Sequence, residues 1–137
     1  MYVKDKIPSI EDIFRAQNLM DRADVRKTPL SKSNTFSTTA RTNIFLKFES
    51  FQKTGSFKVR GAYSKINSLT NHQCKSGVIA ASAGNHAQGV AYAALKRNIR
   101  CNIVMPKNAS PAKVAATRSY GANVILSGDT YDESWKT

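Results

Sequence analysis

The sequence predicts an α/β fold built on an open parallel sheet with helical crossovers. Three observations predict it. Short apolar runs occupy residues 77–81, 100–105 and 123–126. Stretches with apolar residues at helical spacing separate them. Turn and cap residues mark the joints, namely Pro106, the pair Ser110-Pro111, and Gly121. Strands that alternate with helices imply parallel pairing, because each strand returns to the sheet through a crossover.

The elements follow in order. Ser9 stands where an N-cap belongs, and Asp12, three residues on, makes an imperfect capping box. Ile10, Ile13, Phe14 and Met20 give this helix a rough apolar face. Thr28-Pro29-Leu30 ends it, because the residue before a proline leaves the α region. Residues 31–42 are rich in Ser and Thr and read as loop. Residues 44–48, aromatic and branched, read as a strand. Residues 56–68 read as a helix with Val59, Ala62, Tyr63 and Ile66 on one face. After the strand at 77–81, residues 85–97 form a helix that turns Ala87, Val90, Ala91, Ala94 and Leu95 inward. Strand 100–105 carries Cys101 as a small core residue. Ser110-Pro111 is an N-cap followed by a first-turn proline. The helix it opens runs to Tyr120, with Gly121 at C′. Strand 123–126 comes next, and Thr130 with Glu133 makes another capping box.

A hydrophobic fraction of 41% in 137 residues is enough to build a core and excludes compositional disorder. The formal charge of +12 raises a nucleic-acid reading. Against it, the basic residues are scattered with no run of four. No RNP-like, zinc-finger or helix-turn-helix pattern accompanies them, so they read as solvated surface and no nucleic-acid partner is expected. Cys74 and Cys101 have neither CxxC spacing nor a histidine cluster, which argues against a metal site. The first ten residues carry Lys4, Asp5, Lys6 and Pro8 with no apolar run. They read as neither a signal peptide nor a membrane span, and the cytoplasm is the default location.

Two stretches carry chemistry. Residues 54–62 read Thr-Gly-Ser-Phe-Lys-Val-Arg-Gly-Ala, and residues 82–88 read Ser-Ala-Gly-Asn-His-Ala-Gln. The first puts Lys58 at the second or third residue of its helix, between Phe57 and Val59. A lysine amine is a nucleophile only when neutral. Burial beside an apolar ring and the positive end of a helix dipole both favour that form. A lone lysine in a first turn is more often a solvated surface residue, and the motif on both sides shifts that balance. The second stretch leaves a strand and opens a helix, whose unpaired N–H groups attract anions. Asn85 caps that helix, offers its amide to a ligand, or does both. His86 reads as a capping or packing residue with no acid–base role. Arg60 reads as a structural ion-pair partner for Glu49 rather than a helix-face contact.

Taken together, the two motifs closely resemble those of the threonine dehydratases, pyridoxal-phosphate enzymes of the tryptophan-synthase-β type. The resemblance runs from about Ile13 through Glu133. It implies pyridoxal-phosphate fold type II. It implies that Lys58 joins pyridoxal 5′-phosphate as a Schiff base and that Phe57 and Asn85 complete the cofactor contacts, Asn85 through the ring hydroxyl oxygen. It implies that Ser82, Ala83, Gly84, Asn85 and His86 grip the substrate carboxylate. The implied reaction is β-elimination of L-threonine, with L-serine as a side substrate, giving 2-oxobutanoate or pyruvate and ammonia. Lys58 would take the Cα proton. The related serine racemases carry a serine at the position of Ala83, as acid–base on the face opposite the lysine. A methyl group cannot supply that proton, so Ala83 argues for a lyase. The implied partners are an amino-acid substrate and, in the complete enzyme, further copies of the same chain.

In family terms residues 1–52 belong to the large catalytic domain and residues 53–137 to the small, substrate-side domain. Two further family elements are a glycine-rich loop for the cofactor phosphate and a serine or threonine near the pyridine nitrogen. Nothing here replaces them, and the seven glycines are all isolated. The expectation is an incomplete fold, the N-terminal portion of such an enzyme. Its sheet at Val78, Ile79, Ile103, Val124 and Ile125 would then lack part of its helical cover. Two other readings remain: a truncated non-catalytic copy acting with a partner, and, least favoured, a basic nucleic-acid binder.

Overall fold

The computed structural model describes residues 7–21 and 25–136. Lys4, Asp5, Lys6 and Thr137, used above, lie outside the described residues. Helix α1 spans Ile10–Asp21. Its capping box is reciprocal: the Ser9 N–H donates to Asp12 Oδ2 at 3.0 Å, and the Asp12 N–H donates to Ser9 Oγ at 3.2 Å. Met20 is buried, whereas Ile10, Ile13 and Phe14 are exposed. Helix α1 is described through Asp21 and residues 25–29 are not helical, so Thr28-Pro29 is not the immediate stop that was expected.

Residues 31–42 are not a loop, as Ser and Thr content suggested. They hold most of strand β1 (Leu30–Lys32) and all of helix α2 (Asn34–Ala40). Ser33 caps α2 by accepting from the Phe36 N–H, and Arg41 closes it at φ 51°, in the left-handed region. The hydroxyls that looked like loop chemistry are cap chemistry here. Strand β2 (Phe45–Lys47) pairs antiparallel with β1, Leu30 opposite Lys47 and Lys32 opposite Phe45. A 3-10 turn at Glu49–Phe51 leads out of this hairpin.

Helix α3 (Lys58–Asn67) buries Val59, Ala62 and Ile66. Helix α4 (Asn71–Ser76) was not foreseen, although it announces itself with a Thr70–Gln73 capping box. The expected β-α-β-α-β run follows as β3 (Val78–Ala81), α5 (Asn85–Lys96), β4 (Cys101–Met105), α6 (Pro111–Ser119), β5 (Asn123–Leu126) and a short α7 (Tyr131–Trp135). The three strands are parallel in the order β3-β4-β5, with Ala80 beside Ile103 and Ile103 beside Val124.

Strand alternation sorts the sheet into two faces. One carries Val78, Ala80, Cys101, Ile103, Met105 and Val124. It packs on α5, which is buried almost all round because α3 and α6 cover its other sides. The pattern for α5 held for Ala87, Val90, Ala91 and Ala94. Leu95 instead lies at 51% exposure, on the last turn where the cover runs out. The second face carries Ile79, Asn102, Asn123 and Ile125. Ile79 is 68% exposed, and the Asn123 amide donates to Asn102 Oδ1 at 2.9 Å. The helix α7 packs at the far end of β3 and β4. There the buried Ser134 hydroxyl reaches the Ser127 and Thr130 carbonyls. Thr130 caps α7 through the Glu133 N–H, but the Glu133 carboxylate returns to the Asp129 N–H rather than to Thr130.

Candidate active site

Lys58 is the first residue of α3, one step earlier than expected, and Phe57 takes the N-cap position without a side-chain cap. The turn before it is shaped by Gly55 at φ 69°, which suits glycine. Ser56 Oγ accepts from the Lys58 N–H at 3.3 Å. The Lys58 ammonium lies 5.2 Å from the Phe57 ring centroid. The burial expected around it is not provided by the described residues. Lys58 is exposed and Phe57 is 59% exposed, so this face of the motif opens to solvent.

The second motif leaves the carboxyl end of β3, where Ser82 N–H still bonds the Val104 carbonyl. Ser82 Oγ accepts from the Gly84 N–H at 3.3 Å. Gly84, not Asn85, is the N-cap of α5, and Asn85 is the first helical residue. An N-cap position there would have spent the Asn85 side chain on the helix. As it stands, Asn85 is exposed and no side chain caps α5. The first-turn N–H groups are therefore open toward an anion. Ser82, Ala83 and Gly84 are half-buried.

Gly89 brings the two motifs together. A Cβ at Gly89 would stand 3.2 Å from the Lys58 carbonyl carbon and oxygen and from the Val59 nitrogen. Those neighbours are backbone and would have to give by a few tenths of an ångström, so glycine suits the close approach of the first turn of α3 to the second turn of α5. Sequence inspection missed this role, and its signal was a glycine on the alanine-rich face of α5. Arg97 fastens the other end of α3, its guanidinium donating to the Ile66 and Leu69 carbonyls. His86 follows Asn85 and partly lines a cleft of about 270 Å³ with Gly61, Ile66, Ile79 and Val90. Desolvation, then the nearby Lys58 charge, holds its imidazole below the ordinary histidine value. His86 is nonetheless exposed and no side chain caps α5, so it takes neither the packing nor the capping role expected of it.

A larger cleft, about 540 Å³, lies between α1 and α3 with Arg26, Lys27, Lys47 and Arg60 at its edge. It includes neither Lys58 nor the loop at Ser82–Gly84, so chemistry rather than size locates the candidate site. The Arg60–Glu49 pair forms as expected. Arg60 Nε donates to Glu49 Oε2 at 2.9 Å and Nη2 to Oε1 at 2.8 Å. The Arg60 guanidinium holds the Glu49 carboxyl down to about 2.

The donor set fits the reactive end of a carbonyl cofactor. Lys58 supplies an amine, Asn85 an amide, and the uncapped α5 a set of N–H groups. The Thr54 hydroxyl is buried at 3% exposure and has no hydrogen-bond partner among the described residues. No glycine-rich cradle for a phosphate occurs among them. Among the described residues no three His, Cys, Asp or Glu side chains cluster as metal ligands. No helix among them is long and apolar enough to cross a membrane.

Residues 22–137 match the family described as pyridoxal-phosphate dependent enzymes. The chain is 46% identical over 136 residues to L-threonine dehydratase catabolic TdcB of Escherichia coli K12. That match covers 98% of this chain and 41% of the relative. It is 50% identical over 129 residues to the protein of the same name from Staphylococcus aureus, covering 93% of this chain and 37% of the relative. The structure of maize serine racemase superposes with a TM-score of 0.86 at 36% identity, covering 96% of this chain and 40% of that one. This chain therefore spans about two fifths of the length of such relatives.

Proposed function

This chain belongs to the pyridoxal-phosphate dependent enzymes of fold type II, and on that premise we propose that it carries the reactive lysine of an L-threonine ammonia-lyase. The reading rests on one observation above others: Gly89 lets the start of α3, with Lys58, lie against α5 one turn beyond its uncapped start. The names of its relatives support the substrate class. L-Threonine is the proposed substrate and L-serine the secondary one. We propose residues 1–52 as part of a large domain and residues 53–137 as part of a small one.

In this reading Lys58 would hold the cofactor through its carbonyl, Asn85 would bond its ring hydroxyl, and Phe57 would pack beside it. Bound, the cofactor supplies an electron sink for the pair left at Cα. Ser82, Ala83, Gly84, Asn85 and His86 hold the substrate carboxylate, with the N–H groups of α5 as donors and its positive end as the attraction. The Lys58 amine would take the Cα proton and hand it to the β-hydroxyl, which would leave as water. The released enamine hydrolyses to ammonia and 2-oxobutanoate, or pyruvate from serine. Ala83 offers no proton on the opposite face, so return of a proton there, which racemisation requires, has no donor at this position. That favours a lyase even though a racemase is among the similar structures.

The test is covalent trapping. The chain is incubated with pyridoxal phosphate, reduced with borohydride and mapped by peptide mass. Label belongs on Lys58 and should vanish in Lys58→Ala. Label concentrated on any other lysine would overturn the assignment.

A further inference from the structure

We propose that Glu49 and Arg60 are positioning residues, whose ion pair latches the Lys58-bearing start of α3 to the segment that precedes residue 53. The inference rests on the reading of Lys58 given above. Arg60 lies on the first turn of α3, two residues after Lys58, and Glu49 lies in the 3-10 turn beyond the hairpin. Between them runs the connector at residues 52–57.

That connector has little apolar anchorage. Lys53, Gly55 and Phe57 are exposed, while Gln52, Thr54 and Ser56 are buried polar residues. Polar ties therefore set its path. The guanidinium fork meets both carboxylate oxygens, the geometry that fixes direction as well as distance. The same Arg60 Nη2 donates to the Arg26 carbonyl at 3.1 Å. Gln52 clamps both backbone groups of Arg26, accepting from its N–H at 3.2 Å and donating to its carbonyl at 2.7 Å. The Thr28 hydroxyl donates to Glu49 Oε1. Lys47 Nζ donates to the Thr28 carbonyl at 2.6 Å. The Glu49 side chain is 14% exposed and that of Arg60 33%, so the carboxylate is the shielded half of the pair. None of these residues belongs to the apolar cluster around α5 and the parallel sheet. Breaking the pair should free the connector and leave that core intact.

The experiment compares the parent chain with Glu49→Gln and Arg60→Lys. Both variants keep side-chain size, and Glu49→Gln keeps an acceptor while Arg60→Lys keeps the charge. Two readouts are taken: borohydride label on Lys58 after incubation with pyridoxal phosphate, and amide hydrogen exchange. Expected are a fall in Lys58 label of about tenfold, the scale of a small misplacement, and faster exchange at residues 53–58. Exchange in β4 should stay parental. Parental label in both variants would overturn the positioning role, whether or not the connector loosens. Faster exchange spread equally through β4 would overturn it too, since the pair would then serve global stability. Parental label on another lysine would sink the reading of Lys58, and the positioning role with it.

Discussion

The hairpin of β1, α2 and β2 and the parallel unit of β3, β4 and β5 are both sheets, yet they are held in different ways. Strand β4 is buried at four of its five residues, whereas no residue of β1, β2 or α2 is buried. Leu30, Phe36 and Phe45 each stand more than half exposed on the hairpin unit. The parallel unit closes on α5, so apolar burial stabilises it. The hairpin unit is tied to the rest through directed polar contacts centred on Glu49, Arg60, Arg26 and Gln52. The two motifs of the candidate site straddle this difference. The Ser82–Gly84 loop leaves β3, beside the buried β4, and Lys58 follows the polar connector.

That contrast can be broken at several points. The largest effect belongs to the parallel unit. Ile103 is fully buried, and Ile103→Ala should cost about 2–5 kcal/mol by chemical denaturation. A loss below about 1 kcal/mol would mean that the face over α5 does not carry the stability assigned to it. Next comes the helix contact that joins the two motifs. Gly89→Val pushes a side chain against the Lys58 and Val59 backbone, which should cost about 1–3 kcal/mol. It should also weaken Lys58 labelling, and parental labelling would show that the α3–α5 approach does not shape the site.

The third test is acid. The Glu49 carboxyl is lowered from 4.5 to about 2 in the folded chain. Its contribution to stability is therefore complete above about pH 4.5 and is lost as pH falls through about 2. Unfolding followed from pH 5 to pH 2 should show this loss in the parent and a smaller one in Arg60→Ala. Equal slopes would remove Arg60 as the cause. The smallest effect belongs to the hairpin surface. Phe45→Ala, at an exposed position, should change stability by less than about 0.5 kcal/mol. A cost like that of Ile103→Ala would erase the distinction between the two regions.

How much was legible depended on how local the cause was. The Ser9–Asp12 box, the Ser110-Pro111 start and the Gly121 stop are set by groups within four residues, and they appeared where expected. The same rule was available at Thr70–Gln73, where the short α4 escaped notice. Residues 31–42 misled because a hydroxyl-rich stretch serves equally well as loop or as caps, and only pairing of β1 with β2 chooses between them. Lys58 and the Ser82–His86 loop were legible as motifs, while their surroundings were not. Phe57 looked like a shield on the lysine and instead lies largely in water.

The sequence by itself determined the alternation of strands and helices, the cap residues, the scattered positive charge and the two motifs, because these depend on spacing and local bonding. Tertiary structure alone decided what meets what. It set Gly89 on the Lys58 backbone, moved the α5 cap from Asn85 to Gly84, left Ile79 and Leu95 exposed, and gathered Thr28, Arg26 and Gln52 around the Glu49–Arg60 pair. Apart from the one-residue shift of the α5 cap, each of these joins residues far apart along the chain or depends on what covers a helix or strand. Periodicity says which side of an element is apolar, and only packing says whether anything lies against it.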